Sequence, residues 1–344
     1  MEFLEIDGSY GEGGGQLLRT AIALSCITNR AVKVHNIRSK RPNPGLQHQH
    51  MTALKAAVEI SKANVKGLSI GSTTVFFKPE EISGGKYEFD IKTAGSVTLV
   101  IQAILPILCF AKEPSEVTII GGTDVPWSPT IDYFKYVVIE NLRRLGIDAS
   151  VDLIRRGHYP KGGGKVILKV KPISKIIPLS TVYRGNIIAI HGVSHCTNLP
   201  NHIAIRQAKA AIDVIKSEVK NIELKEEVSQ GLGPGSGIAL WAEIENGFRI
   251  GADALGAKGK SAEEVGREAG MKLLEELRSG MAIDRHMGDM MILYMAIAGG
   301  FQMGVSSLTL HAETMIWLTE KFFNIKWNIE KMNGKAILRL SKIT

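Results

Sequence analysis

A glycine-rich segment near the beginning of the chain, from Asp7 to Arg19, carries an acidic side chain, Glu12, between its glycines. It follows a predicted strand and precedes a predicted helix, where backbone N–H groups can bind an anion. The segment matches neither common phosphate motif, because Gln16 stands where a dinucleotide loop has its third glycine and no Gly-Lys-Ser/Thr follows. Since a carboxylate repels bare phosphate, Glu12 favours a site in which a divalent metal carries the phosphates. A plain turn is the alternative.

A basic segment, Arg38 to His50, begins with three cations within four residues, namely Arg38, Lys40 and Arg41. Its two prolines favour an extended loop between the end of a strand and the start of a helix. The planar guanidinium group of arginine suits the oxygens of a phosphate. The segment therefore predicts a phosphate site beside the glycine-rich loop, and a solvated basic loop is the alternative.

The segment from Gly122 to Asp132 contains two prolines on either side of Trp127 and precedes a predicted helix. The prolines make this loop rigid, and with Trp127 they form an apolar wall that suits a nucleic-acid base. Packing of Trp127 in the hydrophobic core explains the same pattern equally well.

Two segments near the end of the chain contain histidines at predicted helix starts. His286 and Asp289 are three residues apart and therefore share a helix face. His311 begins the next predicted helix, at the place that corresponds to the basic loop near the start of the chain. A neutral histidine is a candidate nucleophile, but a lone histidine also serves structural roles, and periodicity does not choose between His286 and His311.

The elements that must position these side chains recur along the chain in a repeat of about 80 residues. Each repeat is predicted as strand, helix, strand, helix and hairpin. The first repeat has predicted strands at Phe3–Ile6 and Ala31–Ile37, helices at Gln16–Ile27 and Leu46–Ala63, and a hairpin of Leu68–Ile70 and Thr74–Phe77.

Residues from about 181 to 277 interrupt this period and contain strands and helices of their own, which predicts an inserted domain. The predicted fold class is α/β (α+β), with three repeated units of two helices on a four-stranded sheet and a smaller inserted α/β domain. Repeats one and two occupy residues 1–180, the insert residues 181–277, and repeat three residues 278–344.

Composition narrows the class of protein further. The 344 residues carry a net charge of +8, which favours polyanionic partners such as nucleic acid. Three cysteines without CxxC spacing are predicted to be buried thiols in a reducing compartment. We see no signal peptide and no apolar stretch long enough to cross a membrane, so a cytoplasmic protein without a membrane partner is expected.

Taken together, these segments resemble the RNA 3'-terminal phosphate cyclase family over almost the whole chain. The resemblance rests on motifs that occur in the same order as in the family: Gly11–Gln16, Arg38–His50, Ala94–Gln102, Gly121–Asp124, His158–Gly164 and His311. It implies a large domain of three repeats, each similar to the C-terminal domain of a bacterial translation initiation factor, and a smaller inserted domain.

The resemblance also implies a reaction in three steps. A histidine attacks the α-phosphorus of ATP and carries AMP, with release of pyrophosphate. AMP passes to the RNA 3'-phosphate to give an RNA-(3')pp(5')A end. The neighbouring 2'-OH then closes a 2',3'-cyclic phosphodiester and expels AMP.

By the same resemblance, His311 is the nucleophile, and Glu12 contacts a divalent metal (Mg or Mn) and the phosphates. The remaining implied contacts to ATP or phosphate come from Arg19, Arg38, Arg41, Gln49, His50, Gln102, Pro129, His286 and Asp289, with Pro129 and His286 on the two faces of adenine. The expected partners are ATP and RNA with a 3'-phosphate end, and an oligomer is possible.

Two other classes of function remain open at this point. A cyclase-like branch that acts in ribosome assembly lacks the catalytic pattern, and His311 together with Glu12 argues against it. An enolpyruvyl transferase on a related repeated fold would not need a nucleophile at His311.

Overall fold

The computed structural model describes residues 2–342 and contains four four-stranded sheets in this range. Three of the sheets share one strand order and one pattern of pairing. The fourth belongs to the insert and is ordered differently. The predicted α/β class, with repeated units of helices on four-stranded sheets, is confirmed.

The first unit forms a sheet with the order β1-β2-β4-β3, in which only β1 and β2 are parallel. Its elements are β1 (Leu4–Asp7), α1 (Gly15–Thr28), β2 (Val32–His35), α2 (His48–Ser61), β3 (Asn64–Lys66) and β4 (Val75–Lys78). The predicted hairpin strand at Leu68–Ile70 is wrong, because β3 lies at Asn64–Lys66. Gly67 turns the chain at φ +82°, and Ile70 is half-exposed in the loop that follows.

The second unit repeats this arrangement with the strand order β5-β6-β8-β7. Its second helix changes register, since α4 runs through one π-helical turn, Phe134–Val138, into α5. Its elements are β5 (Gly85–Asp90), α3 (Val97–Leu108), β6 (Ser115–Gly121), α4 (Ile131–Tyr133), α5 (Ile139–Arg144), β7 (Ala149–Arg155) and β8 (Gly164–Val170).

The insert follows a two-residue strand, β9 (Ser180–Thr181). Its sheet has the order β11-β10-β12-β13, with both helices belonging to this sheet. Its elements are β10 (Ile187–Thr197), α6 (His202–Ile215), β11 (Ile222–Ser229), β12 (Gly235–Ile244), β13 (Arg249–Leu255) and α7 (Ala262–Arg278). The pattern of apolar residues did not predict β11, because four of its eight residues are charged, as suits a strand at the edge of a sheet.

The third unit is completed by β9, which pairs in parallel with β14. Its other elements are α8 (Arg285–Ala298), β14 (Phe301–Val305), α9 (Leu310–Phe322), β15 (Ile325–Met332) and β16 (Lys335–Lys342). The sheet order β15-β16-β14-β9 is that of the other two units. The insert therefore interrupts the third unit between its first strand and its first helix, while the exact domain boundaries stay a prediction.

The helices of the three units meet at the centre of the large domain. α1 packs against α3 and α9, and α3 also packs against α2. Leu17, Leu18, Ile22 and Leu24 of α1 are buried almost completely. This apolar contact fixes the relative positions of the helix starts, which carry the candidate functional side chains.

Among residues 2–342, no helix combines the length and the hydropathy needed to cross a membrane.

Candidate active site

A cleft of about 1040 Å³ lies where the helices of the three units begin. Residues from the first turn, or just before it, of α1, α2, α3, α4, α8 and α9 line its wall. Each helix N-terminus carries about half a positive charge. Side chains already accept hydrogen bonds from the first N–H groups of α3, α4, α8 and α9, whereas α1 has no side-chain cap. Six such ends around one space favour an anion in the cleft.

The structure places every side chain that the sequence singled out for this site on the wall of the same cleft. The lining includes Glu12, Arg19, Arg38, Arg41, Gln49, His50, Gln102, Pro129, His286, Asp289 and His311. These residues come from all three units. Residues that are far apart in the sequence meet here because the helices of all three units begin at the same cleft.

The glycine-rich loop holds Glu12 against the start of α9. The backbone N–H of Glu12 donates to Thr314 Oγ1 at 3.2 Å. Gly11, at φ +57°, approaches the same hydroxyl so closely that a Cβ would lie 2.2 Å from Thr314 Oγ1. Glycine is therefore required there, and this contact brings Glu12 Oε2 to 3.8 Å from His311 Nδ1.

Glu12 also forms an ion pair with Arg41 through its other carboxylate oxygen. Its side chain is only 14% exposed, whereas that of His311 is 44% exposed and open to the cleft. Mg²⁺ is commonly held by one or two carboxylates together with substrate phosphates. Glu12 fits a metal ion that enters together with a nucleotide.

The electrostatics of the cleft favour a neutral imidazole at His311. Burial lowers its pKa, and the positive charges of Arg19 and Arg41 lower it further. The imidazole therefore has a free lone pair at neutral pH, which a nucleophile requires.

Arg19 is buried without a counter-ion. It is 6% exposed, its Nε has no hydrogen-bond partner, and no ion pair forms with it in the described part of the chain. Burial alone lowers its pKa to about 10. A bound phosphate would supply the missing negative charge.

His50 is a second buried donor beside Arg19. Burial, Arg19 and Arg38 together lower its pKa to about 3, so the ring is neutral. The backbone N–H of Gln47 donates to its Nδ1 at 3.2 Å, which leaves the proton on Nε2. Nε2 faces Gly15, where a Cβ would lie only 2.3 Å away. His50 therefore directs an N–H group at the start of α1.

The guanidinium of Arg38 is held by hydrogen bonds within its own loop, whereas that of Arg41 pairs with Glu12. Its backbone adopts φ +55°, and its guanidinium donates to the carbonyls of Asn43 at 2.6 Å and Gly45 at 2.9 Å. These bonds shape the basic loop. Arg41 extends toward Glu12 and remains 42% exposed.

Three polar side chains connect neighbouring helices at the cleft. Gln49 Oε1 accepts a hydrogen bond from the Ser96 N–H at 3.2 Å, which ties α2 to the start of α3. Gln102 Nε2 lies 3.4 Å from Met290 Sδ on α8. Asp289 accepts a hydrogen bond from the Thr309 hydroxyl, and burial, with a smaller effect of Asp284, raises its pKa to about 7. A carboxyl of this kind exchanges protons readily at neutral pH.

The apolar side of the cleft contains Pro129, His286 and Trp127. Trp127 is 98% exposed and adopts φ +61°. Packing of Trp127 in the core, the alternative left open by the sequence, is therefore wrong. An exposed indole on the wall of a basic cleft is a surface for stacking.

The cleft is also lined by residues that were assigned no role from the sequence, among them Tyr133, Tyr159 and Asp253. Asp253 belongs to β13 of the insert, and its Oδ2 accepts a hydrogen bond from the Thr130 N–H at 2.9 Å, at the start of α4. No spacing in the sequence connects Asp253 with the second unit. The insert thus contributes directly to the cleft.

Fold and cleft together define a repeated α/β protein with a cleft that three arginines, Arg19, Arg38 and Arg41, help to line. The sequence profile described as "RNA 3'-terminal phosphate cyclase" matches residues 10–329. The chain belongs to the RNA 3'-terminal phosphate cyclase family. This match confirms the family and the enzyme class that the motifs predicted. Family membership implies RNA and ATP as substrates.

Relatives named "RNA 3'-terminal phosphate cyclase" cover nearly the full chain. The protein from Staphylothermus marinus is 54% identical over 99% of this chain and 98% of its own length. That from Thermococcus kodakarensis is 50% identical over 99% of both chains, and that from Methanopyrus kandleri is 49% identical over 97% of both. The solved structure of the enolpyruvyl transferase NikO from Streptomyces tendae aligns at a TM-score of 0.37 and 9% identity, over 97% of this chain and 47% of that one, a likeness too low to bear on function.

Proposed function

We propose that the protein converts an RNA 3'-terminal phosphate to a 2',3'-cyclic phosphodiester at the expense of ATP, with release of AMP and pyrophosphate. The observation that carries this proposal is the neutral, partly exposed His311 beside Glu12 and Arg41, at the point where six helix N-termini meet. A nucleophile in such an anion-binding environment is suited to attack on a phosphorus atom.

In the first step, an imidazole nitrogen of His311 attacks the α-phosphorus of ATP. A P–N bond forms, the bond to the bridging oxygen breaks, and pyrophosphate leaves. Arg19, Arg41 and the N–H of His50 are the groups that offset negative charge on the phosphates. Pro129 and His286 hold the adenine, and Trp127 offers a further apolar face.

In the second step, an oxygen of the RNA 3'-phosphate attacks the phosphorus of the histidine-bound AMP, and the P–N bond breaks. The product is an RNA-(3')pp(5')A end, and His311 becomes free again. In the third step, the 2'-OH attacks the RNA 3'-phosphorus, loses its proton and expels AMP. Splitting the reaction in this way replaces one difficult displacement by easier ones.

We assign a Mg²⁺ or Mn²⁺ site to Glu12, because its carboxylate is the acidic group next to His311. When bound, the metal ion would neutralise charge on the transferred phosphate. The ion pair between Glu12 and Arg41 keeps the carboxylate in place before ATP binds. A cytoplasmic location and the oligomeric state stay predictions.

The direct test is incubation of a 5'-labelled RNA 3'-phosphate with the protein, ATP and Mg²⁺ or Mn²⁺. We expect an end that resists phosphatase. An RNA with a 3'-OH end should not react, and an RNA ending in a 2'-deoxy 3'-phosphate should stop at the adenylylated intermediate. A phosphatase-sensitive product, or equal reaction without ATP, would overturn the proposal. No reaction at all would favour the non-catalytic role in ribosome assembly.

A further inference from the structure

A second cluster of chemically active side chains lies outside the cleft, between the second unit and the insert. Asp124 follows β6, His158 lies between β7 and β8, and His195 belongs to β10 of the insert. All three are at least 96% buried. One ligand atom from each side chain lies within 4.8 Å of the other two.

The two oxygens of Asp124 differ in their surroundings, because Oδ2 accepts hydrogen bonds from the Thr123 hydroxyl at 2.7 Å and from Arg156 at 3.2 Å. Asp124 Oδ1 is buried without a hydrogen-bond partner and lies 3.5 Å from His195 Nε2. A tetrahedral zinc site with bonds of about 2.0–2.1 Å separates its ligand atoms by roughly 3.4 Å. An unpaired buried carboxylate oxygen costs stability unless another group satisfies it.

The charges around the cluster do not balance. The buried guanidinium of Arg156 is paired with three carboxylates, those of Asp124 at 3.2 Å, Asp132 at 2.8 Å and Glu227 at 3.0 Å. The three carboxylates outnumber the single guanidinium in a largely buried region, although burial raises the pKa of Asp132 and so favours its neutral form. A divalent cation at Asp124 Oδ1 would offset the negative charge that remains.

The ring of His158 is held in place as metal ligands commonly are, whereas Nδ1 of His195 is buried without a hydrogen-bond partner. His158 Nε2 shares a hydrogen bond of 2.9 Å with Thr197 Oγ1, which in turn bonds Ser229 Oγ at 2.8 Å. Gly235 packs so tightly on this ring that a Cβ would lie 2.1 Å from its Cγ. Outer partners of this kind fix ring orientation in metal sites.

We propose that Asp124, His158 and His195 bind one divalent transition-metal ion, with Zn²⁺ the best match to two imidazoles and one carboxylate. The site joins the insert to the second unit and is separate from the metal assigned to Glu12. Because the three side chains are buried, the ion is structural and exchanges slowly. The inference does not depend on the proposed reaction.

The test is metal analysis of tag-free protein purified with Zn²⁺ and then dialysed against buffer without metal. We expect about one retained zinc per chain for the wild type and for His202→Ala, a control that removes an exposed histidine of the same insert. His195→Ala and His158→Ala should retain none. Zinc-free wild type, or full zinc in His195→Ala, would overturn the proposal.

A measurement on the wild type alone keeps the test valid if these variants fail to fold. Apoprotein prepared with a chelator is titrated with Co²⁺ and followed by visible absorption. We expect an intense tetrahedral spectrum that saturates at one Co²⁺ per chain and is displaced by Zn²⁺, together with a lower Tm for the apoprotein. A weak octahedral spectrum, or no change in Tm, would show that the cluster holds protons instead of a metal.

Discussion

Replacement of Arg19 by methionine is expected to stabilise the free protein and to abolish its response to ATP. Arg19 lies in a largely apolar surrounding beside Phe134, Leu293 and Met315, and it has no ion pair in the described range. Methionine fills a similar volume without a charge. The buried guanidinium therefore destabilises the folded protein as long as no ligand is bound.

The size of this cost follows from the pKa. Burial lowers the pKa of Arg19 to about 10, and one pKa unit corresponds to about 1.4 kcal/mol, so the charged form costs the folded protein about 3 kcal/mol. A base whose pKa is lower in the folded than in the unfolded state destabilises the fold at every pH below both values, so this destabilisation is fully present at neutral pH. After allowance for lost contacts of the arginine stem, Arg19→Met should gain about 1–3 kcal/mol.

The assay is chemical denaturation of the wild type and Arg19→Met, with and without ATP. Arg38→Met is the matched control, because Arg38 donates to two carbonyls of its own loop and its loss should cost about 1–3 kcal/mol. ATP should stabilise the wild type and have little effect on Arg19→Met. A less stable Arg19→Met protein, or one that ATP stabilises as strongly as the wild type, would refute the reasoning.

Three further predictions concern the chemistry of the cleft. Glu12→Gln should stay folded but lose metal-dependent AMP labelling, so normal labelling at limiting Mg²⁺ contradicts the assignment. Burial and Arg19 lower the pKa of His311, so the rate of AMP labelling should rise with pH below the ordinary histidine pKa and be constant around neutral pH. A midpoint of this rise at or above the ordinary histidine pKa would contradict the assignment of His311. Trp127→Ala should weaken binding of RNA 3'-phosphate about 5- to 150-fold, by loss of base stacking, and more than it weakens binding of ATP, as fluorescence anisotropy would show.

Much of the fold was accessible from the sequence because the repeats carry strong periodic signals. α1 and α3 are apolar runs that are buried on almost all sides, and β2 and β6 alternate between fully and partly buried residues, so both signals are local. The short edge strands were not accessible. β3 has three residues and β9 has two. Segments this short form strands because they pair with a neighbouring strand, and their own composition gives no signal.

The residues of the cleft were predictable for a different reason. Glu12, Arg38 and His311 stand in motifs whose order resembles a known family, and the repeats explain why these motifs meet. The contribution of Asp253 depends on how the insert docks, and the cluster around Asp124 depends on strands that are far apart in the chain. Such long-range contacts leave no local pattern in a single sequence.

The most direct test of the proposed mechanism is to locate the covalent AMP. Wild type, His311→Ala and His286→Ala are incubated with saturating ATP and Mg²⁺, and the adduct is assigned by mass spectrometry of peptides. We expect one acid-labile AMP on His311 in the wild type, none in His311→Ala, and labelling in His286→Ala that only requires more ATP. AMP on the peptide containing His286, or labelling that survives in His311→Ala, would contradict the account.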